Sequence, residues 1–165
     1  MKLMIHDLND EAFLALNISV EEFVVIQAND KTAPCKGCFG CWLKTPGVCV
    51  MKDKLQHIGA LMGQNDEMII ISENCYGGYS EPVKRVLDRS ISTSLPFFTF
   101  RGGKIHHRNR YKNKFGLKVI LYGGITETER ELAERMVQVN RHNMGSSDAA
   151  LLISDTPDGI GRLLQ

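Results

Sequence analysis

Apolar residues gather into five short segments along the chain, and longer segments of mixed polarity separate them. The apolar segments, which we predict to be strands, are residues 3–7, 23–28, 67–72, 117–123 and 149–154. Three of the separating segments carry apolar side chains at helical spacing and are predicted to be helices: residues 53–64, 80–91 and 127–143. Strands that alternate with helices predict an α/β fold, in which helices cover both faces of a parallel sheet.

Polar residues mark where two of these helices begin. Ser80 is placed as the N-cap of the second helix, and Thr126 with Glu129 three residues later forms a capping-box pattern at the third. The link between the first two strands, residues 8–22, is short. We therefore expect the first crossover helix to be shortened to at most about two turns.

Residues 92–116 form a long stretch without clear periodicity, which we predict to be an irregular loop. Long irregular loops in compact domains are usually functional or disordered. Pro96 is followed by the aromatic residues Phe97, Phe98 and Phe100. Aromatic side chains favour burial, so we expect this loop to be ordered, in a pocket or against another subunit.

Composition limits the class of protein. The 165 residues suit a single domain, residues 1–165, and the net charge of +1 predicts neither nucleic acid nor a membrane as partner. No apolar run approaches the ~18 residues of a membrane span. The first ten residues lack the apolar stretch of a signal peptide. We expect a cytoplasmic protein, whose thiols stay reduced.

Four of the five cysteines lie within sixteen residues, at Cys35, Cys38, Cys41 and Cys49. Cysteines at such close spacing can hold a [4Fe–4S] cluster. Zinc is an alternative, although structural zinc sites usually pair two knuckles that lie further apart in sequence. A reactive dithiol is another, because C-x-x-C motifs lower thiol pKa values. A packed loop without metal, which holds Phe39 and Trp42 in place, is the remaining interpretation.

Three unusual segments follow predicted strands. The cysteine segment comes after the second strand, ENCYGGYSEP (73–82) after the third, and GGIT (123–126) after the fourth. Ligands of open α/β sheets bind at the carboxyl ends of the strands, so these segments are expected to form one site. Gly77 and Gly78 either allow close approach of backbone N–H groups to a ligand or only make a tight turn.

The segments PCKGCFGCWLKTPGVCVMKD and IIISENCYGGYSEPVKRVLDR together resemble the flavodoxin-like NAD(P)H-dependent FMN reductases and the iron–sulfur flavoproteins. The resemblance covers roughly residues 20–145. It implies a flavodoxin-like three-layer sandwich with a five-stranded parallel sheet in the order 2-1-3-4-5. The flavin ring of FMN would be held by two sets of residues: Glu73, Asn74, Cys75, Tyr76, Gly77 and Gly78, and Gly123, Gly124 and Ile125.

The activity that the resemblance implies is oxidoreduction. Bound flavin would take a hydride from NAD(P)H and pass electrons to a small-molecule or protein acceptor, without a catalytic acid–base triad. Relatives of this kind are often homodimers or homotetramers, and the Phe97–Phe100 segment is the candidate contact. By the same resemblance, the four clustered cysteines are the candidate [4Fe–4S] ligands.

The chain departs from the family after the first strand. Where the family has a Ser-, Arg-, Asn- and Thr-rich phosphate loop, this chain has an acidic segment that contains Asp7, Asp10, Glu11, Glu21 and Glu22. These carboxylates would repel a phosphate dianion. Replacement charge would come from Arg108, Arg110, Lys112 and Lys114, unless these form a solvated basic loop. The alternative function is an electron carrier or redox sensor that keeps the cysteines and has lost FMN.

Further predictions concern the positions of individual side chains. Asp88 and Arg89 are expected to pair across a subunit interface, and Cys75 is expected to be buried. Tyr76 and Tyr79 border the flavin or pack at the sheet edge. His106 and His107 are exposed residues or proton donors.

Overall fold

A central sheet and its flanking helices are described by the computed structural model, which covers residues 2–112 and 114–164. The strands are β1 (Lys2–His6), β2 (Phe23–Gln27), β3 (Glu67–Cys75), β4 (Gly78–Tyr79), β5 (Ser94–Arg101), β6 (Lys104–Asn109), β7 (Gly116–Tyr122) and β8 (Asp148–Ser154). The α-helices are α1 (Asp10–Ala15), α2 (Gly40–Leu43), α3 (Ile58–Gly63), α4 (Glu81–Arg89), α5 (Glu127–Met144) and α6 (Ile160–Leu163). Short 3-10 turns cover Ser90–Thr93 and Pro157–Gly159.

The sheet has the strand order β2-β1-β3-β7-β8, and all four of these pairings are parallel. This confirms the predicted flavodoxin-like order, because the observed strands correspond to the five apolar segments. β3 is longer than predicted: its last residues pair antiparallel with β4, where Asn74 lies opposite Tyr79 and Cys75 opposite Gly78. The carboxyl ends of the parallel strands therefore meet at one edge of the sheet, and β4 lies beside β3 there.

Apolar side chains cover both faces of this sheet, as the strand composition predicts. Leu3 and Val119 belong to a buried cluster that includes residues of α3, α4 and α5. Met4 and Ile120 point to the opposite face, where they meet residues of α6 and the partly buried Phe13 of α1. The three layers follow from the period-two alternation of side chains along each strand.

The predicted helix over 53–64 is wrong in its first half, because α3 covers only Ile58–Gly63. The Asp53 carboxylate accepts a hydrogen bond from the Leu55 backbone N–H and two from Arg89, which holds the preceding residues in a non-helical turn. α3 itself lies very close to the segment that follows α4. A Cβ at Gly59 would overlap with Ser92, and one at Gly63 would overlap with the Tyr111 ring.

The predicted irregular loop over 92–116 is also wrong, because most of it forms the antiparallel hairpin β5–β6. Gly102 and Gly103 make its two-residue turn with positive φ values of 55° and 75°, which glycine adopts without strain. The pairing register shifts between Ser94 and Phe98, and Pro96 lies within this irregularity. A strand that contains proline is tolerated at such a bulge.

The observed starts and lengths of the helices agree in part with those predicted from the sequence. Thr126 and Glu129 form the predicted capping box of α5, and α1 is short, with six residues. Ser80 precedes α4 as predicted, but its side chain makes no capping hydrogen bond. No helix in the described part of the chain combines the length and the apolar character that crossing a bilayer requires.

Candidate functional site

Two of the predicted site segments meet at the carboxyl edge of the sheet. The Asn74 side-chain amide donates a hydrogen bond to the Gly124 carbonyl at 2.9 Å, which ties the β3–β4 turn to the loop that follows β7. Gly77 packs against the first turns of α5, where an added Cβ would lie 2.5 Å from the Glu129 carbonyl oxygen. The backbone and hydroxyl of Thr126, with a contribution from Asn74, lower the pKa of Glu129. The structure thus brings residues 73–78 and 123–125 together, as predicted.

The β3–β4 turn has a fixed backbone shape. Tyr76 and Gly77 adopt positive φ values of 53° and 79°, a combination typical of a type I′ hairpin turn. The Asn74 side-chain oxygen accepts a hydrogen bond from the Gly77 backbone N–H at 2.9 Å. Because Gly77 N–H is used in this way, fewer backbone donors remain for a ligand than the glycine-rich sequence suggested.

Exposure of the site residues differs from the expectations in one case. Cys75 is exposed, so the prediction that it is a buried apolar residue is wrong. Cys75 is the last residue of β3, and its side chain lies beside the turn, outside the buried core. Tyr76 is 84% exposed, which leaves its ring free to cover a planar ligand.

Tyr79 and Gly123 are held by contacts within the fold. The Tyr79 hydroxyl accepts a hydrogen bond from Asn140 Nδ2 at 3.0 Å, and burial raises the pKa of Tyr79 to about 12. Gly123 has a φ of 94°, and its N–H donates to the Ser154 carbonyl. Gly124 is exposed, and an added Cβ there would meet no atom within 4 Å. The open side of the site therefore lies at Tyr76 and Gly124, not at Tyr79.

The loop after β1 carries carboxylates where a flavin phosphate would lie in the family. The Asp7 carboxylate accepts hydrogen bonds from the Glu73 backbone N–H at 3.0 and 3.2 Å. Burial, and then the charge of Asp7, raise the pKa of the Tyr122 hydroxyl. Asp10 and Glu11 occupy the first turn of α1, whose short length provides little dipole for an anion. This loop does not fit the phosphate of FMN.

The proposed replacement cations do not all lie at this site. Arg110 donates from Nε to the Ser92 carbonyl at 2.9 Å and from Nη2 to the Cys41 carbonyl at 3.5 Å, so it supports the cysteine segment instead. Lys114 lines a groove with Lys2 and Glu67 at the opposite edge, where the strands begin. Arg108 and Lys112 are exposed. Another cation, Lys54, does lie beside the first loop: burial lowers the pKa of His6, and the charge of Lys54 adds to that effect.

The four clustered cysteines line one cavity of about 80 Å³. The other residues of the cavity wall include apolar side chains and Arg89, which closes one side of it. Cys41 is buried, Cys49 is half-buried, and Cys35 and Cys38 are exposed, all as free thiols. Gly40 keeps the cavity wall compact, because an added Cβ would lie 2.6 Å from a methyl group of Val50. The local fold therefore directs four cysteines of a sixteen-residue segment into a common space.

Electrostatic coupling links the cysteines of this cavity, which we call the cysteine cavity. Burial raises the pKa of the Cys41 thiol, and the negative charges of Cys49, Cys35 and Cys38 raise it further. Four thiolates together need compensating positive charge, either from a metal centre or from neighbouring cations. The donor set and the shared cavity fit a [4Fe–4S] cluster, which four cysteine thiolates hold.

Neither a zinc site nor an assembled cluster site is shown by the arrangement of side chains in the part of the chain that the structure describes. Within the described ranges, no group of three or more His, Cys, Asp or Glu side chains is placed to hold a single metal ion. A tetrahedral zinc site would bring sulfur atoms to about 3.8 Å from one another, as a Zn–S distance of ~2.3 Å requires. The iron–sulfur interpretation of Cys35, Cys38, Cys41 and Cys49 remains a prediction.

Aromatic residues join the cysteine segment to the hairpin. Trp42 Nε1 donates a hydrogen bond to the Ile91 carbonyl at 3.0 Å, and the Trp42 ring lies 4.9 Å from the His107 ring. His107 also contacts Phe98, with ring centroids 4.6 Å apart. His106 and His107 are half-buried, so the prediction that they are exposed is wrong: the hairpin packs them inward.

Arg89 lies in the interior of the fold, contrary to the prediction. It was predicted to pair across a subunit interface, but it is 2% exposed and forms an ion pair with Asp53. Asp88 pairs instead with Lys84 on the exposed face of α4. The sequence did contain an indication that Arg89 is buried. Val83, Val86 and Arg89 follow one another at a spacing of three residues and so share the buried face of α4.

The fold and this edge of the sheet define a class of protein, the flavodoxin-like α/β proteins. The structure aligns with that of an NAD(P)H:quinone oxidoreductase from Methanothermobacter marburgensis at a TM-score of 0.62 and 14% identity, over 99% of this chain and 94% of that one. It aligns with an NADPH-quinone reductase from P. pentosaceus at a TM-score of 0.55 and 13% identity, over 99% and 91% of the two chains. An FMN-dependent NADH-azoreductase from Bacillus anthracis, solved in complex with FMN, aligns at 0.52 and 11% identity, over 92% and 85%.

A sequence relative is more specific. The chain is 30% identical over 105 residues to an iron–sulfur flavoprotein of Archaeoglobus fulgidus, a match that covers 64% of this chain and 41% of that protein. The match thus spans less than half the length of this curated relative. No family model matches the chain. Together the matches confirm the resemblance drawn from the sequence and do not favour the flavin-free alternative.

Proposed function

We propose that the protein is an NAD(P)H-dependent flavin oxidoreductase of the iron–sulfur flavoprotein type. The observation that carries this proposal is the convergence of Cys35, Cys38, Cys41 and Cys49 on one cavity. A cysteine set of this kind, on a fold shared with NAD(P)H-dependent reductases, supports electron transfer rather than hydrolytic or binding functions. The name of the sequence relative, an iron–sulfur flavoprotein, supports the same assignment.

The flavin ring is proposed to bind between the β3–β4 turn and the loop that follows β7. Asn74 and Gly124 form the base of this proposed ring site, and Tyr76 is exposed beside it. Glu73, Cys75, Gly78, Gly123 and Ile125 supply the remaining surface of the two segments, and the buried Gly77 fixes the shape of the turn beneath them. Flavin supplies hydride and electron transfer, while the protein orients the ring. The acidic loop after β1 means that the ring rather than the phosphate is the main attachment.

An anaerobic titration tests this function. The purified chain is incubated with FMN, passed through a gel-filtration column, and titrated with NADH and separately with NADPH while the flavin absorbance is followed. We expect flavin to be retained and to be bleached by one of the two nucleotides. A chain that retains no flavin, or retains flavin that neither nucleotide reduces, contradicts the reductase assignment.

The acceptor, the assembly and the compartment are also proposals. We propose a small-molecule or protein electron acceptor, and no nucleic acid partner, because the net charge is only +1. We propose a cytoplasmic location, where free thiols persist. A homodimer or homotetramer is proposed because Phe98, Phe100 and Ile105 are each more than 60% exposed on the β5–β6 hairpin. Exposed apolar patches of this kind are typical of interfaces.

A further inference from the structure

Arg89 places a buried positive charge against the cysteine cavity. Its side chain lines that cavity together with all four cysteines. Its Nη2 donates to the Cys49 sulfur at 3.4 Å and to Asp53 Oδ1 at 2.7 Å, and Nη1 donates to Asp53 Oδ2. Its Nε atom is buried and has no hydrogen-bond partner among the described residues. The guanidinium therefore binds Asp53 through both terminal nitrogens and Cys49 through Nη2, and within the described part of the chain it keeps one buried N–H without an acceptor.

The ion pair with Asp53 does not account for this arrangement by itself. The Arg89 side chain is fully buried, whereas the Asp53 side chain is 36% exposed, so the positive partner is the more strongly desolvated one. A guanidinium has five N–H donors, and removing it from water is unfavourable unless those donors find acceptors. Besides Asp53, the Cys49 sulfur is the acceptor that the structure places within reach of Arg89.

We propose that Arg89 is a positioning residue that raises the reduction potential of an iron–sulfur cluster held in the cysteine cavity, and this inference rests on the proposed function. Hydrogen bonds to cluster sulfur and the net charge of the surroundings are the protein's means of tuning that potential. Arg89 supplies both, through Nη2 at Cys49 and through its charge. Asp53 acts in the opposite direction, because its carboxylate neutralises part of that charge.

The electron balance of the cluster determines the direction in which Arg89 shifts the reduction potential. Reduction adds one electron to the cluster, [4Fe–4S]2+ to [4Fe–4S]+, and takes up no proton, so the site becomes one charge more negative. The electron comes from a one-electron donor, either reduced flavin or a low-potential dye in the titration. A buried cation stabilises the more negative state more than the oxidised one, which favours reduction. Loss of Arg89 therefore lowers the potential, and loss of the Asp53 charge raises it.

Dye-mediated redox titration of the reconstituted protein, followed by EPR of the reduced cluster, tests the inference. We expect Arg89→Gln to shift the one-electron equilibrium at least tenfold toward the oxidised cluster, which is a potential lower by about 59 mV. Arg89→Lys keeps the charge and should recover part of this shift. Asp53→Asn should shift the potential in the opposite direction, a result that general loosening of the cavity would not produce.

Lys84→Gln is the matched control, because it removes the same charge from the exposed face of the same helix. Its potential should equal that of the wild type, since exposed charges are screened. Iron content per chain shows whether each variant is loaded. If Arg89→Gln does not fold, the double variant Arg89→Gln/Asp53→Asn, which leaves no unpaired carboxylate, takes its place. It should lower the potential by less than Arg89→Gln would, because Arg89 and not Asp53 donates a hydrogen bond to the Cys49 sulfur.

The outcomes separate the two claims. Variants that load iron normally and titrate at the wild-type potential overturn the role of Arg89 and leave the proposed function standing. Shifts of the same sign in Arg89→Gln and Asp53→Asn also overturn it. A wild-type chain that takes up no iron overturns the cluster part of the proposed function, and the inference about Arg89 with it.

Discussion

The Asn74 side chain joins two segments that lie fifty residues apart, by donating a hydrogen bond to the Gly124 carbonyl at 2.9 Å. The same side chain accepts from the Gly77 N–H, so a single amide fixes both the turn after β3 and the loop after β7. Its neighbours Tyr76 and Gly124 are exposed. Asn74 is therefore the structural centre of the proposed flavin-ring site.

Substitution of Asn74 tests that site. Asn74→Ala removes both hydrogen bonds, and we expect flavin affinity to fall about fivefold to tenfold, since one such bond contributes about 1 kcal/mol. Flavin fluorescence titration measures the dissociation constant. Asn143→Ala, an exposed asparagine of α5, is the control and should bind flavin like the wild type. Equal affinity in the two variants would place the ring elsewhere.

The acidic loop after β1 makes an unusual prediction about cofactor choice. Because Asp7, Asp10 and Glu11 belong to the segment after β1 that replaces the phosphate loop of the related family, FMN should gain little over riboflavin, and their dissociation constants should agree within about threefold. Asp10→Asn should tighten FMN binding and leave riboflavin binding unchanged, because only FMN carries the repelled dianion. Isothermal titration with both ligands measures this. A strong wild-type preference for FMN would mean that the phosphate is bound by cations outside this loop.

The buried His6 side chain should make the free energy of unfolding depend on pH. Burial against Phe13 lowers its pKa from 6.5 to about 4 in the folded chain, so the folded state favours the neutral ring. This contribution is fully present above pH 6.5 and is lost as pH falls from 6.5 to 4, because the unfolded chain takes up the proton first. The loss should amount to about 3–4 kcal/mol, at ~1.4 kcal/mol for each pH unit between the two pKa values.

Urea unfolding at several pH values measures this dependence. The variant His6→Phe should remove most of the slope between pH 6.5 and 4, whereas His142→Gln, at an exposed histidine, should keep it. A wild-type stability that stays constant over this interval would contradict the buried, neutral state of His6.

Close packing at α3 predicts a stability effect of a single methyl group. Gly63→Ala places a Cβ in the space of the Tyr111 ring, and overpacking of this kind costs about 1–3 kcal/mol. Gly124→Ala adds the same group where no atom lies within 4 Å and should leave the free energy of unfolding nearly unchanged. Chemical denaturation compares the two. Similar stabilities would mean that Tyr111 moves aside at little cost.

The exposed hairpin predicts self-association. Phe100 and Ile105 lie opposite each other on β5 and β6 and are 74% and 64% exposed. The double variant Phe100→Asp/Ile105→Asp should convert an oligomer into monomers, because four buried carboxylates would oppose a dimer contact. Analytical ultracentrifugation gives the masses, with Leu14→Asp at an exposed leucine of α1 as the control. An unchanged oligomer would place the interface elsewhere.

The strands could be predicted from the sequence because each is an uninterrupted local pattern. The near-continuous apolar run EMIIIS indicates a strand that is buried on both faces, and the alternation with helices predicts a parallel sheet. The order of the strands followed from the resemblance to the flavodoxin-like family. The hairpin β5–β6 was missed although the signal was local: Gly102 and Gly103 separate two segments that are rich in β-favouring residues. Aromatic and basic residues without strict alternation hid that signal.

Contacts between distant segments could not be predicted in the same way. The shared cavity of the four cysteines was expected from their spacing, but the presence of Arg89 beside it depends on how α4 packs against residues 49–53. The contact between Asp7 and the Glu73 N–H likewise depends on β1 and β3 being neighbours. Burial of a charged side chain contradicts the average preference of arginine, and only the helical spacing of Val83 and Val86 indicated it.

Iron and acid-labile sulfide per chain, measured after anaerobic reconstitution, decide whether the cysteine cavity holds a cluster. Three proteins are compared: the wild type, Cys41→Ser in the cysteine cavity, and Cys75→Ser at the exposed cysteine beside the β3–β4 turn. We predict about four irons and four sulfides in the wild type and in Cys75→Ser, and a marked loss in Cys41→Ser. A wild-type chain without iron, or equal iron in all three proteins, would contradict a cluster in the cysteine cavity.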